Sequence, residues 1–219
     1  MRLRKKPWIE EAIREYQSVL YLEVPTELKG RWREAFPAPK QPLFLEFGTG
    51  KGQFISRMAD NFRNVNFIGM ERQEGVIYYA AKKLFDARPP ITNARLILGD
   101  VSQMLDIFAP GEVDGIYLNF SDPWPKARHA KRRLTHRAFL EKYAILLKSE
   151  GFLYFKTDNR PLFDFSIEEL TALGWQLSDV TYDLHSAPVD GDVETEYEEK
   201  FSRKGNRVCR LAAKRPMGV

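Results

Sequence analysis

Short apolar runs alternate along the chain with segments whose apolar side chains recur every three or four residues. The runs at 43–47, 65–70, 95–98, 113–118 and 151–157 have the length and composition of buried strands. Between them, Phe54, Ile55, Met58, Ala59 and Phe62 share one helical face, as do Val76, Ile77, Ala80, Leu84 and Ala87 before the breaker Pro89-Pro90. Residues 101–108, 135–147 and 163–173 repeat the helical pattern, while 176–183 and 207–213 read as two more strands that close as an antiparallel hairpin. Strand and helix in alternation predict right-handed βαβ units. The fold class is therefore α/β: a mostly parallel seven-stranded sheet with helices on both faces, where ligands bind beyond the carboxyl ends of the strands.

Residues 1–40 carry Pro7, Pro25, Pro37 and Pro39 around one helical stretch, 9–20, and read as an N-terminal extension that stays mobile until a partner arrives. Residues 41–219 are expected to form a single catalytic domain. With 219 residues and 43% hydrophobic content the chain can bury a sizeable core. No apolar stretch reaches membrane-spanning length, and the basic start runs into Pro7, Trp8, Glu10 and Glu11, which predicts a soluble, cytoplasmic protein with no membrane partner. The lone Cys209 cannot form an internal disulfide and is expected to pack rather than react.

Net charge is only +4, but it is unevenly spread. Lys126, Arg128, Lys131, Arg132 and Arg133 crowd one segment, whereas Asp190, Asp192, Glu194, Glu196, Glu198 and Glu199 crowd another. The basic run directly follows Asn119-Phe120-Ser121-Asp122-Pro123-Trp124-Pro125 at the end of a predicted strand. A polyanion gripped by its arginines would be delivered to that loop.

The first predicted strand ends in Glu46-Phe47-Gly48-Thr49-Gly50-Lys51-Gly52, a turn that lets a ligand approach the backbone. Glu71 ends the second strand, where a carboxylate is placed to accept both hydroxyls of a ribose. Asp100 ends the third, placed to meet the exocyclic amine of an adenine. The spacing is Gly-x-Gly-x-Gly, and Glu46 adds negative charge where a pyrophosphate needs the opposite. A cationic adenosine ligand suits this set better than a dinucleotide.

These motifs, with Lys131-Arg132-Arg133-Leu134-Thr135-His136 and Thr195-Glu196-Tyr197-Glu198 followed by Phe201 and Gly205, resemble the signature set of the bacterial tRNA (guanine-N7)-methyltransferases, within the class I S-adenosylmethionine-dependent methyltransferase superfamily. The resemblance runs over nearly the whole chain and implies a Rossmann-like class I methyltransferase fold. It implies that Glu46, Gly48, Gly50, Glu71, Asp100, Asn119 and Asp122 bind S-adenosyl-L-methionine, with Asp122 also the catalytic residue. Lys126, Asp158, Thr195, Glu196, Tyr197 and Glu198 are implied to bind the substrate. Arg128, His129, Ala130, Lys131, Arg132 and Arg133 are implied to contact tRNA. The implied product is N7-methylguanosine in the tRNA variable loop. No obligate protein partner is implied, and monomer and homodimer stay open.

That chemistry agrees with the residue types. Guanine N7 offers an in-plane lone pair and no proton, so no general base is required; positioning and carboxylates near developing charge carry the catalysis. Asp158 or Glu198 would accept from guanine N1–H and N2–H₂, which adenine cannot satisfy. The guanine has to leave its stack, with Phe120 and Trp124 as candidate stacking surfaces. Three histidines and one cysteine, with no second ligand near His129, predict no metal. A nicotinamide oxidoreductase is disfavoured by the glycine spacing and Glu46, and a non-catalytic RNA-binding module by the intact acidic set. A class I methyltransferase acting on another nucleic acid or a small molecule is the nearest alternative.

Overall fold

Each apolar run becomes a strand. A computed structural model describes residues 7–184, 186, 193, 195, 198 and 207–216, which divide between two units, Met1–Ala109 and Pro110–Val219. The first contains α1 (Pro7–Ala12), a 3-10 turn (Ile13–Tyr16), β1 (Leu20–Tyr21), β2 (Leu43–Phe47), α2 (Gln53–Asn61), β3 (Asn66–Glu71), α3 (Glu74–Phe85), β4 (Ala94–Leu98) and α4 (Met104–Ile107). Its strands run in the order β1-β4-β3-β2, all parallel.

Register decides where the chemistry lies. Phe47 pairs with Met70 and Glu71 with Leu98, so the glycine turn, Glu71 and Asp100 all follow the same edge of this sheet. In β3, residues 66–70 are buried without alternation, as a strand covered on both faces requires. The apolar face of α2 supplies part of that cover through Phe54, Ile55, Met58 and Ala59. Asn93, just before β4, donates from Nδ2 to the carbonyls of Ala59, Phe62 and Val65 and so anchors the exposed end of α2.

The N-terminal segment, expected as an extension, contributes to this unit's core. Ile9, Ile13 and Trp32 are buried, the Trp32 indole donates to Ile107 O at 2.9 Å, and β1 extends the sheet beside β4. The described strands thus number eight rather than seven, β1 being the addition.

The second unit holds β5 (Val113–Asn119), a 3-10 turn (Ala127–Arg132), α5 (Arg137–Leu146), β6 (Leu147–Thr157), α6 (Arg160–Ala172), β7 (Gln176–Thr181) and β8 (Cys209–Lys214). β5 and β6 are parallel; β8 lies between β6 and β7 and runs against both, which realises the expected C-terminal antiparallel pair. Asn159 caps α6 by accepting from Leu162 N at 2.9 Å, with Pro161 in the first turn. Cys209 is buried in β8, and burial pushes its thiol up, in line with a packing role. Among the described residues no helix is long and apolar enough to cross a membrane.

Candidate active site

In the first unit the turn after β2 is tied to β3 by its own backbone. Gly48 N and Thr49 N both donate to Met70 O, at 2.8 and 3.1 Å. Gly48, Gly50 and Gly52 all have positive φ, but they do different work. A Cβ built on Gly48 meets nothing within 4 Å, so the turn faces open space there. One built on Gly52 falls 2.6 Å from Ala80 Cβ, so this glycine lets α2 and α3 approach. Only the leading glycines form a cradle.

Three carboxylates surround the cradle's strand ends. Glu46 is buried and accepts from the Thr49 hydroxyl at 2.5 Å, bracing the turn from within. Glu71 accepts from Gly50 N at 3.3 Å and Gln73 N at 2.9 Å; burial nevertheless raises its carboxyl above the ordinary value, the two backbone donors offsetting part of that cost. Asp100 accepts from Ser102 N at 2.9 Å, while Asp100 N donates to Gln103 Oε1 at 3.1 Å. Hydrogen bonding from Ser102, helped by Arg72 at 4.0 Å, holds the Asp100 carboxyl below its usual range. The pair therefore offers one readily charged acceptor and one poised by burial.

In the second unit the loop after β5 is bent by two left-handed residues that are not glycine, Phe120 at φ 50° and Trp124 at φ 40°. Phe120 N donates to Lys156 O at 2.9 Å, fastening the loop's start to β6. Asp122 is exposed between the two bends. Ser121 Oγ is shielded from solvent and has no hydrogen-bond partner among the described residues.

The basic run divides. Lys126, Arg128, Lys131 and Arg132 are exposed. Arg132 stacks over the Trp124 ring, 4.9 Å from its centroid, and the half-buried His129 meets the same ring edge-on at 5.8 Å. Ala130 is half-buried in the 3-10 turn. Arg133 departs from its neighbours: Nε donates to Pro123 O and Nη2 to Trp124 O, both at 3.1 Å, and the guanidinium carbon lies 4.3 Å from the Phe165 ring centroid. Its charge is directed inward.

Asp158, half-buried, follows β6 directly. Thr195 and Glu198 are buried and bonded to one another, with Glu198 N donating to Thr195 Oγ1 at 3.0 Å and Thr195 N to Glu198 Oε2 at 3.3 Å. Glu196 and Tyr197 lie outside the described residues. Lys156, absent from the sequence-based set, is buried and pairs with Glu198 at 3.1 Å. A lysine within the apolar run of β6 was the signal. Thr49 and Gln103 are likewise outside the sequence-based set, although Asp100-x-x-Gln103 has the spacing of a capping box and was a legible signal.

A parallel sheet ending in a glycine cradle with strand-end carboxylates defines a Rossmann-like methyltransferase. In agreement, the solved structure of an antibiotic-related methyltransferase superposes with a TM-score of 0.63 at 18% identity, covering 88% of this chain and 94% of its own. Residues 40–211 match the family Methyltransf_4, described as "Putative methyltransferase", and the chain belongs to that family. A relative from Geobacillus sp. (strain WCH70) is 48% identical over 99% of this chain and 96% of its own length; one from Halalkalibacterium halodurans is 46% identical over 97% and 95%. Both are named tRNA (guanine-N(7)-)-methyltransferase.

Proposed function

We propose that this protein methylates N7 of a guanine in the variable loop of tRNA, in the cytoplasm, using S-adenosylmethionine. The observation that carries the reading is the open glycine cradle at Gly48, flanked along one sheet edge by Glu71 and Asp100. A nucleoside fits that acceptor set: ribose hydroxyls donate to Glu71, an exocyclic amine donates to Asp100, and the adjoining space is free of side chains. The acidic character suits a sulfonium and excludes a pyrophosphate. When bound, S-adenosylmethionine supplies an electrophilic methyl group.

The chain's own residues do the rest. The N7 lone pair forms the new N–C bond as the methyl's bond to sulfur breaks and its electron pair stays on the sulfur, which leaves as a neutral thioether. No proton has to leave, so the protein needs to hold the base and stabilise the positive charge passed to the purine rather than act as a base. Asp122, exposed between the two bends, is assigned that stabilising role, with Asn119 at the loop's start keeping its place in the cofactor set. Lys126, Arg128, Lys131 and Arg132 are assigned to tRNA phosphates, and Asp158, Thr195 and Glu198 to the guanine. Trp124, held between Arg132 and His129, is the better stacking platform of the two aromatic candidates.

The test is incubation with methyl-labelled S-adenosylmethionine and unmodified tRNA, followed by digestion and identification of the labelled nucleoside. Label in N7-methylguanosine is expected, lost with Asp122→Ala and with tRNA lacking the variable-loop guanine. Label in another nucleoside, or none in tRNA despite cofactor binding, would overturn the substrate assignment.

A further inference from the structure

β6 buries a cation. Lys156 is 3% exposed, and an ammonium withdrawn this far from water is costly unless paired and hydrogen-bonded. Its Nζ donates to Val193 O at 3.0 Å and to Glu198 Oε2 at 3.1 Å. Glu198 is 1% exposed. The described donors to its carboxylate, Lys156 Nζ and Thr195 N, both go to Oε2. Oε1, equally shielded, has no hydrogen-bond partner among the described residues.

This asymmetry is unlike a pair built for stability alone, which would satisfy both oxygens of a buried carboxylate. One oxygen is used to fix the group; the other is left short of a donor. We propose that Lys156 is a positioning residue for base recognition: by fixing Oε2, it presents Oε1 of Glu198 to the N1–H and N2–H₂ edge of the target guanine. The proposal rests on the guanine-methylating function above and assigns its selectivity to a residue that does not itself touch the base. Oε1 is closed to bulk water, so a base lacking the matching donors leaves it unpaired with no solvent to substitute. Such sites discriminate sharply. Adenine presents a lone pair at N1, which a carboxylate oxygen repels.

The test uses full-length protein and tRNA transcripts carrying guanine, inosine or 2-aminopurine at the target position. Inosine keeps N7 and N1–H but lacks the 2-amino group; 2-aminopurine keeps the amine but lacks N1–H. Wild-type protein is expected to favour guanine in kcat/KM by about tenfold or more over at least one analogue. Glu198→Gln and Lys156→Met should both compress that ratio to within about threefold, and Lys156→Arg should restore much of it. Melting temperature and cofactor affinity establish that each variant is folded. If Lys156→Met does not fold, the ratios in Glu198→Gln and Lys156→Arg decide.

Equal use of all three bases by wild-type protein would overturn the proposal, as would Lys156 variants that slow every substrate by the same factor. Absence of N7-methylguanosine from wild-type protein on the guanine transcript would instead overturn the function itself, and the proposal with it.

Discussion

Arg133 donates from Nη2 to the carbonyl oxygen of Trp124 at 3.1 Å. With the parallel bond from Nε to Pro123 and the ring of Phe165 behind it, the guanidinium braces the half of the loop that contains the left-handed Trp124. A backbone held in that region costs about 1–3 kcal/mol and persists only when its surroundings enforce it. Arg132, one residue earlier, is exposed and lies over the Trp124 ring.

The neighbouring arginines should therefore fail differently. Arg133→Lys keeps the charge but loses the planar fork, and is expected to lower kcat about tenfold while leaving tRNA affinity and its salt dependence nearly unchanged. Arg132→Ala should weaken tRNA binding and reduce the slope of log K against log salt by about one. Titrations at several salt concentrations, paired with single-turnover methylation, separate the two. A salt slope altered by Arg133→Lys as much as by Arg132→Ala would return Arg133 to the phosphate-binding set.

This division marks the limit of what sequence could show. The strands containing Glu46 and Glu71 and the strand ending just before Asp100 were legible because parallel strands buried on both faces are continuous apolar runs, and the glycine turn follows the first of them directly. β1 was not: two residues have no periodicity, and Leu20 completes what reads as a helix from residue 9, although the helix stops at Ala12 and Val19 O accepts from Leu96 N. The split in the basic run was hidden because it depends on which guanidinium reaches Pro123 and Phe165. Lys156 and Glu198 are 42 residues apart, and although Thr195-x-x-Glu198 is a legible local pair, nothing in the sequence joins Glu198 to Lys156.

The first and third glycines of the turn after β2, only the first of which belongs to the cradle, predict separable defects. Gly52→Ala places a methyl within 2.6 Å of Ala80 Cβ at a backbone φ of +75°, so steric overlap adds to conformational strain. The expected loss is about 2–4 kcal/mol, read by urea unfolding. Gly48→Ala meets no side chain, and its φ of +78° leaves only conformational strain, about 1 kcal/mol. Its methyl fills the open space instead, so S-adenosylmethionine affinity should fall about tenfold or more by calorimetry. Equal stability losses with unchanged affinity in both would show that the space over Gly48 is not the cofactor's.

Glu169 of α6 accepts from Arg137 N at 2.7 Å at the start of α5 and from the Arg137 guanidinium at 2.7 to 3.3 Å. Hydrogen bonding from Arg137 outweighs burial and holds its carboxyl below the ordinary glutamate value. A depressed folded-state pKa contributes stability that is present above the unfolded value and is lost as pH falls through the folded one. Glu169→Gln should thus be less stable than wild type near neutral pH, with the gap closing on acidification. Chemical unfolding at a series of pH values measures this; a gap independent of pH would assign the cost to packing.

Glu71 carries the opposite sign. Burial raises its carboxyl, so the folded state binds the proton more tightly than the unfolded chain, and its contribution to stability declines as pH rises from the unfolded value through the folded one. Glu71→Gln should remove that decline and be no less stable than wild type at neutral pH. Cofactor binding should show the reverse cost, since ribose hydroxyls donate best to the ionised carboxylate. In wild-type protein, S-adenosylmethionine affinity is expected to fall as pH drops through a midpoint above that of an ordinary glutamate. In Glu71→Gln it should be about tenfold weaker at neutral pH and lack that step. Equilibrium dialysis across the acid range measures both, and a wild-type profile without the step would remove Glu71 from the ribose contact.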